Sequence, residues 1–182
     1  MSALLAYRLR LGMAMLLAFG TLAAAISLGV PLSAPDGSFS GPVPIAAVSE
    51  ARADAALAAS PPRLAEARAQ TRATLTQRPM DAVAWTRLAW LASETRDREA
   101  MLDALDRSYA VAPFGPDVTG WRLRFAFGHW SDLTPDLRRQ VAAELFDTIH
   151  NRPGVADAVR SDIADPAGRL AFDLTRSSAS GR

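Results

Sequence analysis

No charged residue interrupts the chain from Leu11 to Pro35, a stretch rich in Leu, Ala and Met that directly follows Tyr7-Arg8-Leu9-Arg10. A helix rises about 1.5 Å per residue, so a run of this length crosses a hydrocarbon core of about 30 Å, where backbone polar groups require a helix. The stretch predicts a transmembrane helix over 11–32 in contact with the lipid bilayer. Arg8 and Arg10 lie on its short side, and the far flank, Ser33-Ala34-Pro35-Asp36-Gly37, has no nearby cation. That asymmetry places residues 1–10 in the cytoplasm and everything after Asp36 outside it. In a bacterium this describes a single-pass inner-membrane protein with its C-terminal domain in the periplasm. The competing reading is a cleaved secretory signal, whose apolar region spans about 7–15 residues and ends at small residues such as Ala23-Ala24-Ala25 or Ser33-Ala34. The run is long for that, so the retained anchor is preferred over a soluble periplasmic product. Gly20 with Ala24, and Ala25 with Gly29, have the small-xxx-small spacing that permits close helix association in lipid, which makes a homo-oligomer one expectation.

The 182 residues leave room for one compact domain after the membrane segment. Cysteine is absent, which excludes disulfides, thiol-based metal sites, thiol catalysis and attachment through a lipidated cysteine. All 20 basic residues are Arg, and the formal net charge is +1. Arg8 and Arg10 account for more than that excess, so the external part stands at −1 with signs interspersed. No concentrated basic face exists for nucleic acid, and no polybasic cluster for anionic lipid.

Residues 33–44 are dense in Pro, Gly and Ser, with prolines at 35, 42 and 44, and read as a semi-stiff linker. Beyond them no alternation of period two is found, and the punctuation predicts an all-α domain over 45–165. Helices are expected near Ile45 to Ala59, Pro62 to Gln77, Asp81 to Glu94, Asp97 to Val111, Asp117 to Trp130 and Pro135 to Asn151, with a weaker one from Ala156 to Ile163. Ser60 before Pro61-Pro62 and Thr134 before Pro135 place a capping hydroxyl ahead of a proline whose missing N–H costs nothing in the first turn, and Asp81, Asp97 and Asp117 can cap similarly. Arg78-Pro79, Ala112-Pro113 and Arg152-Pro153-Gly154 read as stops. Asp165-Pro166-Ala167-Gly168 reads as a final break, leaving 166–182 as a flexible C-terminal tail.

Pro79 and Pro113 lie 34 residues apart. Inside that period Asp81-Ala82-Val83-Ala84-Trp85-Thr86-Arg87-Leu88-Ala89 has Trp, two residues, then Leu and a small residue, and Leu105, Ser108 and Pro113 follow. This pattern resembles a tetratricopeptide repeat. Ala67, Thr74 and Pro79 fit the second helix of a preceding repeat, and Trp121 matches Trp85 after a small slip, with Arg124 where Leu is usual. Within the best unit Met101 stands at a normally small position and Ala92 at a normally aromatic one. The resemblance covers roughly Pro62 to Asn151 and implies a short α-solenoid of stacked helix pairs, with the helices after Thr134 as caps. A fainter resemblance, carried by Ser108-Tyr109-Ala110-Val111-Ala112-Pro113-Phe114 and Trp121-Arg122-Leu123-Arg124, is to membrane-anchored tetratricopeptide-like proteins of bacterial envelope polysaccharide systems. It implies an accessory role beside a protein partner in an envelope or exopolysaccharide assembly or export machine. The periplasmic tetratricopeptide domain of cytochrome c maturation proteins is similar too, but nothing in the sequence picks out apocytochrome binding.

Arrays of this type bind ligands on a concave face built from their first helices. In register with Trp85, that face would include Thr86, Trp90 and Ser93 from one helix and Arg122, Ala126, His129 and Trp130 from the next. Trp90 and Trp130 are the aromatic anchors of this expected partner-binding groove, suited to an extended peptide or, in the alternative reading, to glycan binding or processing by stacking on sugar rings. The competing role for both is to fill core gaps in an alanine-rich stack. His129 and His150 are the only histidines, and no His-Glu-x-x-His spacing, Gly-x-Ser-x-Gly elbow or phosphate loop occurs. No catalytic residue, metal site or cofactor is therefore expected. The sequence leads to a non-enzymatic, membrane-anchored periplasmic scaffold for protein partners.

Overall fold

A computed structural model describes residues 13, 15, 17–22, 25 and 45–180. Arg8, Arg10, most of the expected span 11–32 and the linker 33–44 lie outside the described residues. Among those described, no helix is long and apolar enough to cross a membrane. Residues 17–22 are helical, and Met13, Met15, Leu17, Phe19 and Leu22 are between 57% and 70% exposed.

The described chain is all-α: α1 (Ala46–Ala58), α2 (Leu64–Gln77), α3 (Ala82–Glu94), α4 (Arg98–Val111), α5 (Thr119–Gly128), a 3-10 turn (Trp130–Asp132), α6 (Pro135–Asn151), α7 (Pro153–Asp162) and α8 (Pro166–Ser180). It divides into two compact units, Met1–Thr74 and Leu75–Arg182. In the first, the side chains removed from water on α1 and α2 are small: Ala53, Ala56, Ala67 and Thr71 are fully buried. Thr71 returns its hydroxyl to Ala67 O at 2.8 Å, so its burial leaves no donor unmet.

In the second unit, most helix starts follow from local chemistry. Asp81 accepts from Ala84 N–H at 3.0 Å, Asp97 from Ala100 N–H at 3.1 Å and Thr134 from Leu137 N–H at 3.3 Å. Asp117 does not cap as expected. The residue before α5 is Val118, without a side-chain cap, and Thr119 instead gives its hydroxyl to Gly115 O at 2.8 Å. α3 and α4 form the most extensively packed pair, with Ala89, Leu91, Ala92, Met101, Ala104 and Leu105 buried. Trp85 lies on that pair and donates its indole N–H to Pro79 O at 2.8 Å.

The expectation of a flexible tail over 166–182 is corrected by α8 for residues 166–180, and residues 181 and 182 lie outside the described residues. Asp165 is not part of a break. Its carboxylate accepts from Gly168 N–H at 3.0 Å, and Pro166 opens the helix at a position where its missing N–H is harmless. Phe172 is fully buried on α8 and meets Phe127 edge to face at 5.2 Å. α5 and α6 each pack against both α7 and α8, so the last two helices cover the α5–α6 pair. Gly168 makes this approach possible: a Cβ there would lie 1.8 Å from Phe127 O. Ion pairs line the exposed seams, Arg124 with Asp162 at 2.9 Å, Arg176 with Asp157 at 2.8 Å and Arg160 with Asp173 at 2.6 Å.

Candidate partner-binding site

The seven residues assigned to a groove separate into three settings, with Ala126 fully buried in the hydrophobic core. Thr86 and Arg122 are fully buried, which corrects their expected place on a binding surface. The physical reason is a polar network enclosed between α3, α4, α5 and α6. Glu144, 1% exposed, accepts from Tyr109 Oη at 2.8 Å and shares the single Thr119 hydroxyl proton with Gly115 O, each acceptor 2.8 Å from Oγ1. It also accepts from Arg122 Nε at 3.1 Å and from Arg122 Nη2. The remaining Arg122 N–H groups go to the end of α4: Nη1 donates to Ser108 O at 3.0 Å and Ala112 O at 2.8 Å, and Nη2 to Pro113 O at 2.9 Å. Ser108 O also accepts from Ala112 N–H at 3.2 Å, whereas Ala112 O and Pro113 O lie past the helix end, where carbonyls lack helical partners, and a cation there also complements the helix dipole. The guanidinium lies 4.0 Å from the Tyr109 ring centroid. Ser108 Oγ donates to Ala82 O at 2.9 Å and lies 2.9 Å from Thr86 Oγ1, tying α3 into the same cluster. Burial, and then the neighbouring Glu144 carboxylate, push the Tyr109 hydroxyl well above its usual range, so it keeps the proton that Glu144 accepts. Among the described residues no buried side-chain nitrogen or oxygen is left without a partner. The network is closed, and its chemistry is that of a structural lock.

Trp90 and Trp130 form the second setting. Both are half-buried and pack against the main hydrophobic cluster. Trp130 stacks on Phe127 with centroids 5.1 Å apart and planes 11° from parallel, while Arg138 lies 5.6 Å over its ring and donates Nε to Trp130 O at 3.1 Å. Much of the area expected to serve a ligand is already occupied by the protein.

Ser93 and His129 form the third. They meet in one cavity of about 230 Å³, with Arg96, Arg98, Met101 and Asp132. His129 Nδ1 is 3.0 Å from Phe125 O, and the two rings lie 4.4 Å apart. Because a carbonyl only accepts, Nδ1 carries the proton and Nε2 is left for other contacts. His150 repeats the device on Phe146 O at 2.8 Å, with the same 4.4 Å ring separation. Among the described residues no group of three His, Cys, Asp or Glu could hold a metal ion.

Sequence reasoning did not assign Arg96 or Arg98, nor a second hollow of about 310 Å³ lined by Tyr109, Ala110, Pro113, Phe114, Gln140 and Ala143. Phe114, 56% exposed, belongs to the segment that carries the fainter of the two resemblances. Glu144 was also missed. Its signal was present in the order Leu137, Val141, Glu144, Leu145, Thr148, where an acid occupies the apolar face of a helix.

No known family model matches the chain, and no curated protein or solved structure is detectably similar to it.

Proposed function

We propose that this chain is a membrane-anchored scaffold whose helical domain binds protein partners in the bacterial periplasm, as a non-enzymatic accessory factor of an envelope or exopolysaccharide assembly or export machine. The observation that carries the reading is the outward position of every large apolar side chain described between Met13 and Leu22. Apolar side chains with that exposure favour a hydrophobic medium, and a lipid bilayer is one that would cover them. A second support lies in the C-terminal unit, where the buried polar groups satisfy one another and apolar side chains remain outside: Phe114, Leu170 and Leu174 are between 56% and 62% exposed. The helix pair α3–α4, bracketed by Pro79 and Pro113, suits a tetratricopeptide-type unit, a fold element that serves to present surface. The glycan reading is the weaker one, because Trp130 already stacks on Phe127.

Crosslinking in native membranes with a C-terminal tag tests the proposal, followed by mass spectrometry of captured proteins and of the chain's own N-terminus. Recovery of residues before Leu11 together with an integral-membrane biosynthetic or export protein is expected. A chain beginning after the apolar run, with no specific neighbour, would overturn the anchored scaffold.

A further inference from the structure

The α3–α4 turn contains a backbone feature that a helix reversal alone does not require of an arginine. Arg96 N–H donates to Ser93 O at 2.9 Å and Asp97 N–H to Ala92 O at 3.0 Å, a helix end in which the residue after the cap turns left-handed. That residue is Arg96, with φ of 57°, and among the described residues no other non-glycine has positive φ. Glycine takes this conformation without strain, and a strained residue persists where its side chain has a use. Here the strain places the Arg96 side chain on the wall of the 230 Å³ cavity.

The other walls define the ligand. Arg98 is fixed by Asp132: Nη2 donates to Asp132 O, and Nε lies 3.7 Å from its carboxylate, so neither contact engages Nη1. The His129 ring is held through Nδ1 on Phe125 O, with Nε2 unused by that bond. Met101, 2% exposed, supplies an apolar wall. Two arginines and one carboxylate line the cavity, an excess of one positive charge among its arginines and acids.

We propose that this cavity binds a carboxylate presented by a protein partner, gripped by Arg96 and Arg98 with its aliphatic stem against Met101. The proposal rests on the scaffold reading and adds the chemistry recognised. A single negative charge balances the excess, whereas a phosphate dianion would leave one negative charge uncompensated beside Asp132. The planar fork of a guanidinium matches a carboxylate. The volume lies below the usual range for drug-sized ligands, about 300–1,000 Å³, and suits one short acidic group.

The test is an NMR titration of the full chain in detergent micelles with four probes: the peptide amide acetyl-Ala-Glu-Ala-amide, its Gln counterpart, the free acid acetyl-Ala-Ala-Ala, and inorganic phosphate. Saturable shifts at Arg96, Arg98 and His129 with a carboxylate probe but not the Gln peptide are expected. The Glu peptide acting alone identifies a side-chain carboxylate, and the free acid acting alone identifies a chain terminus. Arg96→Gly should weaken binding by more than about tenfold, the loss of a charge-assisted hydrogen bond, while its melting temperature stays level or rises. Retained affinity in Arg96→Gly, a lowered melting temperature, tighter binding of phosphate, or no saturable shift with either carboxylate would each overturn the proposal. Membrane crosslinking keeps the two readings apart: a captured partner without probe binding sinks this site alone, and probe binding without a captured partner supports the cavity and sinks the scaffold.

Discussion

Arginine is used at both ends of α4, in opposite ways. At the C-terminal end Arg122 is fully buried, and its N–H groups are divided between Glu144 and the carbonyls of Ser108, Ala112 and Pro113. At the N-terminal end Arg96 and Arg98 are exposed on the wall of a cavity, one on a strained backbone and the other held on one side by Asp132. Removing a guanidinium from water is tolerable only when its donors and its charge are matched. The C-terminal end meets that condition within the fold, so its arginine works for stability. The N-terminal end does not, and its arginines keep a capacity to bind.

The largest effect expected from breaking this contrast comes from Arg122→Met. It leaves the Glu144 carboxylate buried without its cation and should destabilise the domain by about 3–5 kcal/mol in denaturant unfolding. The double variant Arg122→Met with Glu144→Leu should recover part of that loss, the remainder being the Tyr109 hydroxyl and the Ala112 and Pro113 carbonyls left without these partners. If it does not, the network carries specificity that packing cannot replace. Next is Gly168→Ala, whose methyl group would collide with Phe127 O. A loss of about 1–3 kcal/mol, with amide exchange accelerating first in α8, is expected. Tyr109→Phe removes one hydrogen bond to a carboxylate and should cost about 1.5–3 kcal/mol, with Glu144 still paired by Arg122.

A smaller effect is set by pH at the half-exposed Arg160–Asp173 pair. The hydrogen bond from Arg160 holds the Asp173 carboxyl below its ordinary value of 3.8. A carboxyl lowered in the folded state contributes fully above its unfolded value and loses that contribution as pH falls through the folded one. Protection of α8 amides should therefore hold down to about pH 4 and decline below it, and Asp173→Asn should reduce that decline, leaving the part due to the Asp165 cap and the Asp157–Arg176 pair. The smallest change has the opposite sign. Arg96→Gly relieves a left-handed arginine and should raise stability by about 1 kcal/mol in thermal unfolding, so that one end of α4 gains from losing its arginine while the other fails.

Much of the helical layout was legible because caps are local. Asp81, Asp97 and Thr134 sit within three residues of the N–H groups they receive, and the helices they open begin where the sequence places them. Asp165-Pro166 was misread because proline marks both the first turn of a helix and the ground beyond its end. The deciding contact, Phe172 under α5, lies outside any local window. Thr86 and Arg122 were assigned to a surface from repeat register alone. Arg122 finds its partner 22 residues away, a distance that no pattern on α5 reports. Ser93 and His129 do meet, but the charged walls of their cavity come from a turn, the first residue of α4 and a 3-10 segment, where periodicity has little to count.

The seat of α8 on the Phe127 carbonyl also bears on kinship. A position that admits no side chain cannot drift: most surface helix residues of this protein can change over generations, but Gly168 can change only if α8 moves with it. Asp165-Pro166-Ala167-Gly168 with Phe172 four residues on is therefore a short signature by which a distant relative should be recognisable after the alanine-rich remainder has diverged beyond detection.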